Sequence, residues 1–222
     1  MFRHPIYGEY CQIDGLTFTL YHSDKKALQG FSSQILSTGY ARFKNYLQAH
    51  NKAFFFTLTL TFPLSYQLYR QDNGEIAYFL FNLIQSLSRN GYDPAYFWVR
   101  EKDNSTHHHY HLALWLNGNK IQHPQNVINR VVELWKRCIG EDDFTLGLVD
   151  FKGAYQYPLM IRREDNLLVN FKRGFQTFSY LAKLYSKEQI LPVNCRRYGC
   201  SQLKKVTAVQ KNSLIYYLRE PE

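Results

Sequence analysis

The sequence predicts an α+β fold: a ferredoxin-like (RRM-like) βαββαβ core with an antiparallel sheet, its helices on one face, plus one further helix and terminal extensions. Three observations predict it. Residues 54–62 (Phe-Phe-Phe-Thr-Leu-Thr-Leu-Thr-Phe) alternate with period two. Two later stretches carry apolar residues at helical spacing. The patterns follow one another as strand, helix, strand, strand, helix, strand.

Residues 1–52 read as an N-terminal extension, irregular at first and then helical from about Ser23 to His50. In the first strand Phe56, Leu58, Leu60 and Phe62 share one face and Thr57, Thr59 and Thr61 the other, and Pro63 ends it. Asp72 or Asn73 is placed to cap a helix carrying Ile76, Phe79, Leu80, Leu83 and Leu87, which Asn90-Gly91 closes. Tyr96 to Glu101 is the second strand, with a turn at Asp103-Asn104-Ser105. His109 to Leu116 is the third, with Tyr110, Leu112, Leu114 and Leu116 facing the core. A helix from about Pro124 to Cys138 and a strand from Thr145 to Phe151 complete the core. This arrangement leaves the second sheet face open. A last helix is expected from about Lys172 to Lys187, so the core spans residues 53–188 and a basic segment 189–222.

The 222 residues are 45% apolar and 20% charged, an ordinary globular mixture. The longest apolar stretch, Ala53 to Leu64, is broken by threonines and too short to span a bilayer. Met1-Phe2-Arg3-His4-Pro5 leads into polar residues, so no signal peptide, no membrane partner and a cytoplasmic location are expected. Four scattered cysteines do not suggest a disulfide framework, and the five-residue step from Cys195 to Cys200 is a loose spacing for zinc. The net charge of +9 is unevenly placed: residues 1–150 carry 14 basic and 13 acidic side chains, residues 151–222 carry 13 and 5. The excess lies largely in doublets, Arg162-Arg163, Lys172-Arg173, Arg196-Arg197 and Lys204-Lys205. With 18 Tyr, 16 Phe and 3 Trp, such a basic end suits nucleic acid, where cations meet phosphates and rings stack on bases.

Four of the eight histidines fall in residues 107–111. On a strand His109 and His111 project together, about 7 Å apart along the backbone, and can grip one divalent ion on the open sheet face. Glu101, across the turn, supplies a third ligand in a hairpin. Two imidazoles and a carboxylate leave coordination positions for phosphate oxygen and water, as a catalytic ion requires. The competing, non-functional reading makes His107 and His108 exposed turn residues and His109 and His111 merely polar surface.

In the last helix Phe171, Phe175, Phe178, Ala182 and Tyr185 form a core stripe. Gln176, Tyr180, Lys183 and Lys187 recur on the opposite, polar side. Tyr180 with Lys183 one turn later can act on a single group. A phenol, with a pKa near 10, needs a metal and a neighbouring cation to serve as a nucleophile at neutral pH.

Together Phe56-Thr-Leu-Thr-Leu-Thr-Phe62, His109-Tyr110-His111 and Tyr180-Leu-Ala-Lys183 resemble motifs one, two and three of the HUH (His-hydrophobic-His) endonuclease superfamily. Trp98-Val-Arg-Glu101 leading to His109-Tyr-His-Leu112 is similar to replication proteins of filamentous phages and prophages of the YagK/YfjJ C-terminal type. The resemblance spans residues 54–187. It implies Mg²⁺ or Mn²⁺ held by His109, His111 and Glu101 on the scissile phosphate of single-stranded DNA or an origin hairpin. Tyr180 would form a 5′-phosphotyrosine link, with Lys183 orienting the phosphate or balancing charge. The freed 3′-OH would prime rolling-circle replication by a DNA polymerase. Arg162, Arg163, Lys172, Arg173, Lys187, Arg196 and Arg197 are the expected DNA contacts. No P-loop motif exists in the sequence, so unwinding falls to a separate helicase. Transposases and relaxases use the same chemistry. A histidine-triad nucleotide hydrolase, built on His107, His109 and His111, and a non-catalytic RRM-like single-strand binding module are the rival readings.

Overall fold

In the computed structural model, which describes residues 4–21, 30–64, 66, 72–102, 106–140, 147–152, 158–164, 166–187 and 191–218, the strand predicted at 54–62 runs from Lys52 to Leu60 and organises everything around it. Before it come β1 (Pro5–Ile6), the hairpin of β2 (Tyr10–Ile13) and β3 (Leu16–Thr19), β4 (Phe31–Ser32) and α1 (Ser33–Ala49). The central strand is β5. It is followed by α2 (Gly74–Arg89), β6 (Ala95–Glu101), β7 (His109–Asn117), α3 (Gln125–Ile139) and β8 (Val149–Asp150), the expected βαββαβ order. Then come β9 (Leu159–Arg162), α4 (Leu167–Ser179), a 3₁₀ turn (Tyr180–Ala182), β10 (Tyr198–Cys200) and α5 (Ala208–Tyr217).

The main sheet is antiparallel, ordered β10-β6-β7-β5-β8. β9 lies on the same edge of β5 as β8, pairing its first residues from Lys52↔Arg162 to Phe55↔Leu159. The turn at 103–105, residues 145–146 of the fourth strand and residues 23–29 of the expected first helix lie outside the described residues. Phe31 and Ser32 are strand, so the described part of that helix starts at Ser33, where the Ser32 hydroxyl accepts from the Ile35 N–H. At the other end of α1, Arg163 Nη2 donates to the Leu47 and Gln48 carbonyls at 2.9 and 3.1 Å, satisfying acceptors that the helix leaves unpaired. No helix among the described residues is long and apolar enough to cross a membrane.

The alternation divides the sheet into two apolar layers. Phe54, Phe56, Leu58 and Leu60 pack with Tyr110, Leu112 and Leu114 against α2 and α3. The second face is not open. Ala53, Phe55, Phe97, Val99, Ala113 and Trp115 on that side pack against α1, α4 and the β2–β3 hairpin, through Phe18, Phe43, Phe171, Phe175 and Phe178. Phe54-Phe55-Phe56 makes the first half of β5 apolar on both sides, and leaving that second face in water forfeits the burial of several aromatic rings. The end of this face carrying Thr57, Thr59, His109, His111 and Glu101 is polar.

The last helix also differs from its expectation. α4 begins five residues before Lys172 and stops at Ser179. Beyond the 3₁₀ turn the chain leaves the helix: Lys183 bridges to Phe31, the Leu184 N–H donates to the Gly30 carbonyl at 3.0 Å, and the Lys102 N–H donates to the Ser186 carbonyl at 3.0 Å. Tertiary backbone partners thus replace the helical ones. Tyr185 is half-buried and off the core stripe, whose other members Phe171, Phe175, Phe178 and Ala182 are buried.

Candidate metal centre and groove

Register builds the site. β6 and β7 pair Glu101 with His109 and Val99 with His111, while β5 and β7 pair Thr59 with His111. Residues directly opposite share a face, so Glu101, His109, His111 and Thr59 converge at the polar end of the second face. Glu101 Oε2 lies 3.7 Å from His109 Nε2 and 3.2 Å from His111 Nε2. One ligand atom from each of the three residues falls within 4.8 Å of the others, and they form the one such group of His, Cys, Asp and Glu among the described residues. The cysteines therefore build no metal cluster there, and none of the four is in a disulfide.

Glu101 is fully buried and heavily partnered. Ser186 Oγ donates to Oε2, Lys183 Nζ lies 3.2 Å from Oε2, and Lys187 Nζ pairs with Oε1. Burial pushes the carboxyl up, but the Lys187 charge and the polar contacts with His109 and His111 outweigh it and hold Glu101 well below the usual carboxylate range. Burial lowers Lys187 to about 8, against the pull of Glu101. Burial likewise lowers His111 to about 4, so its ring is neutral at pH 7 and able to ligate. Its Nδ1 lies 2.9 Å from Thr59 Oγ1, whereas the buried Nε2 faces Oε2 without completing a hydrogen bond. A neutral imidazole fixed at one nitrogen, with the other orphaned beside a carboxylate and a second imidazole, fits a divalent ion.

A groove of about 700 Å³ opens beside this cluster. Its wall includes Thr57, Thr59, His111, Asp150, Arg173 and Tyr180. The Tyr180 ring stands perpendicular to that of His111 with centroids 5.2 Å apart, and the Lys183 ammonium lies 3.4 Å from the Tyr180 ring centroid. Tyr21 approaches Tyr180 edge-on at 4.9 Å, and its backbone N–H donates to Ser179 Oγ at 2.7 Å. The helical spacing expected of Tyr180, Lys183 and Lys187 is absent, yet all three reach the cluster, because the turn after Ser179 lays the following segment along the end of β6.

The expected DNA contacts separate into groups. Arg173 is exposed on the groove, Arg162 is exposed on β9, and Lys172 is half-buried. Arg196 and Arg197 line a different recess, with His4 and Cys195, along the β10 edge. Arg163 is committed to the end of α1. Lys187 is not a surface contact: its ammonium is buried on Glu101, a correction that follows from the broken helix.

His108 is not the exposed turn residue of the competing reading. It is buried, with Nε2 2.7 Å from the Tyr110 hydroxyl, and packs edge-on against Phe62 on the opposite face from the metal cluster. His107 sits near Phe62 too, so it does not join His109 and His111 as a histidine triad requires. The covered second face likewise removes the open sheet that an RRM-like module needs. Sequence reasoning missed Ser186 and Asp150. Nothing local marks Ser186, whereas Asp150 lies on a strand expected to complete the core beside this site.

The chain matches the family described as YagK/YfjJ C-terminal domain over residues 17–201. No curated protein and no solved structure matches it.

Proposed function

The chain belongs to the YagK/YfjJ C-terminal domain family, and from that premise and the site geometry we propose that it is a metal-dependent HUH-type endonuclease that nicks and rejoins single-stranded DNA to initiate rolling-circle replication. One observation carries the reading: the Glu101–His109–His111 cluster and the Tyr180 ring, 5.2 Å from that of His111, meet at one groove. Glu101, His109 and His111 would hold Mg²⁺ or Mn²⁺, which when bound supplies Lewis-acid polarisation of a phosphate oxygen.

The chain's own residues do the rest. Thr59 fixes the His111 ring through Nδ1, and Lys187 with Ser186 holds the Glu101 carboxylate in place. Tyr180 Oη attacks the phosphorus of a strand lying in the groove. The Tyr O–P bond forms, the P–O3′ bond breaks, the phenol gives up its proton and the departing O3′ takes one up. The products are a 5′-phosphotyrosine and a free 3′-OH, and attack by a 3′-OH on the tyrosyl phosphate reverses the step. Lys183 places positive charge where negative charge grows on the phosphate. Arg173 faces the same groove and would hold a neighbouring backbone phosphate.

The test is a denaturing gel of single-stranded circular and hairpin DNA incubated with Mn²⁺ and either the intact protein or Tyr180→Phe. A covalent adduct made by the intact protein, and lost with Tyr180→Phe and with chelator, is the expected result. An adduct that persists in Tyr180→Phe moves the nucleophile, with Tyr185 and then Tyr21 to be replaced next. The absence of both adduct and metal binding overturns the enzyme reading.

A further inference from the structure

Charge around Glu101 is out of balance in a way that simple metal ligation does not explain. One carboxylate meets two ammonium groups, Lys187 on Oε1 and Lys183 at 3.2 Å from Oε2, and all three side chains are buried. Oε2 is also the oxygen that faces His109 and His111. A divalent ion held by the three ligands and the Lys183 ammonium are therefore drawn to the same oxygen. With both in place the pocket holds two lysine charges and two ionic charges against one carboxylate, and buried like charges repel far more strongly than in water. The two lysines also differ in their surroundings. Lys187 is enclosed, whereas Lys183 lies 3.4 Å from the centroid of the Tyr180 ring, a residue of the groove wall.

We propose that Lys183 and the divalent ion compete for Oε2 of Glu101, so that the ion and a DNA phosphodiester bind cooperatively: the ion releases Lys183 toward the groove, and the phosphate neutralises it there. This rests on the proposed reading of the groove as a single-strand DNA site. Coupling of this kind is reciprocal, so the ion tightens DNA binding by the factor by which DNA tightens ion binding. It also ties the ammonium to the place where Tyr180 reacts, and only when substrate is present.

The experiment follows free Mn²⁺ by electron paramagnetic resonance during titration of the full chain carrying Tyr180→Phe, with and without a short oligothymidylate. DNA is expected to tighten Mn²⁺ by about 5–150-fold, the usual range of such coupling. Adding Lys183→Met removes the competitor, so Mn²⁺ binds more tightly without DNA and the effect of DNA shrinks. Lys183→Arg keeps the charge and retains the coupling. Thermal unfolding of each variant checks that it is folded. Mn²⁺ affinity that neither Lys183→Met nor bound oligothymidylate changes overturns the competition and leaves the nuclease reading standing. No Mn²⁺ binding by any of these proteins overturns both.

Discussion

Thr59 Oγ1 lies 2.9 Å from Nδ1 of His111, across the β5–β7 pair, and so determines which nitrogen of the ring is presented to Glu101. For Nε2 to ligate, Nδ1 must carry the proton and donate it to the threonine oxygen. Thr59→Val keeps the shape of the side chain and removes that acceptor. Mn²⁺ affinity is expected to drop about 10–100-fold with little change in the fold. Calorimetric titration of the variant beside the intact protein measures it, and unchanged affinity would show that the threonine does not orient the ring.

Glu101→Gln removes the one negative charge that Lys183 and Lys187 share. Breaking a buried ion pair from one side leaves uncompensated charge and costs about 3–5 kcal/mol. The urea midpoint of this variant is expected to fall well below that of the intact protein, alongside loss of Mn²⁺ binding. Lys187→Met added to Glu101→Gln is expected to recover part of the stability but none of the metal binding, which separates the two roles of the carboxylate.

His108 makes stability depend on acid. Burial, helped by the charge of Arg100, pushes its pKa down to about 2 from an ordinary value of 6.5. The folded protein therefore keeps this ring neutral while the unfolded chain protonates it below pH 6.5. The unfolded state then binds more protons, so stability is lost as pH falls from 6.5 toward 2. The contribution of this residue approaches about 1.4 kcal/mol per pH unit once the unfolded ring is fully protonated. Urea unfolding at about pH 7.5, 6 and 5 measures the slope, and His108→Gln is expected to flatten it.

Gly39→Ala tests how α1 supports the turn that carries Tyr180. A Cβ at Gly39 would come within 1.9 Å of the Phe178 ring, so the two helices cross there with no room for a methyl group. Overpacking of this kind costs about 1–3 kcal/mol. Phe178 sits two residues before Tyr180, so its displacement is expected to reduce adduct formation beyond what lost stability explains. Comparing adduct yield at a temperature where both proteins are folded decides the matter.

Several parts of this arrangement were legible in the sequence. Period-two alternation marked β5 and β7 and assigned their faces, because side chains on a strand alternate whatever surrounds it. The same alternation put His109 and His111 on one face, and the short connection to Glu101 made a hairpin partner of it. Helical spacing identified α2 and α3 for an equally local reason.

Other features depended on contacts between residues far apart in the chain. The second sheet face is covered because α1 and α4 pack on it, and no local pattern states which face a distant helix will choose. The fate of residues 180–187 was decided by Gly30, Phe31 and Lys102, whose backbone groups draw the chain out of its helix and carry Lys183 and Lys187 onto Glu101. A basic doublet or a spaced lysine reads as surface charge in sequence, yet Arg163 closes α1 and Lys187 lies buried. The sequence by itself determined the central strands β5, β6 and β7, the core helices and the three candidate ligands, since these follow from local periodicity and short connections, whereas β1–β4, β9 and β10 come from the structure alone. Only the tertiary structure decided where Tyr180 and the lysines stand, since burial and charge pairing are properties of groups brought together by the fold.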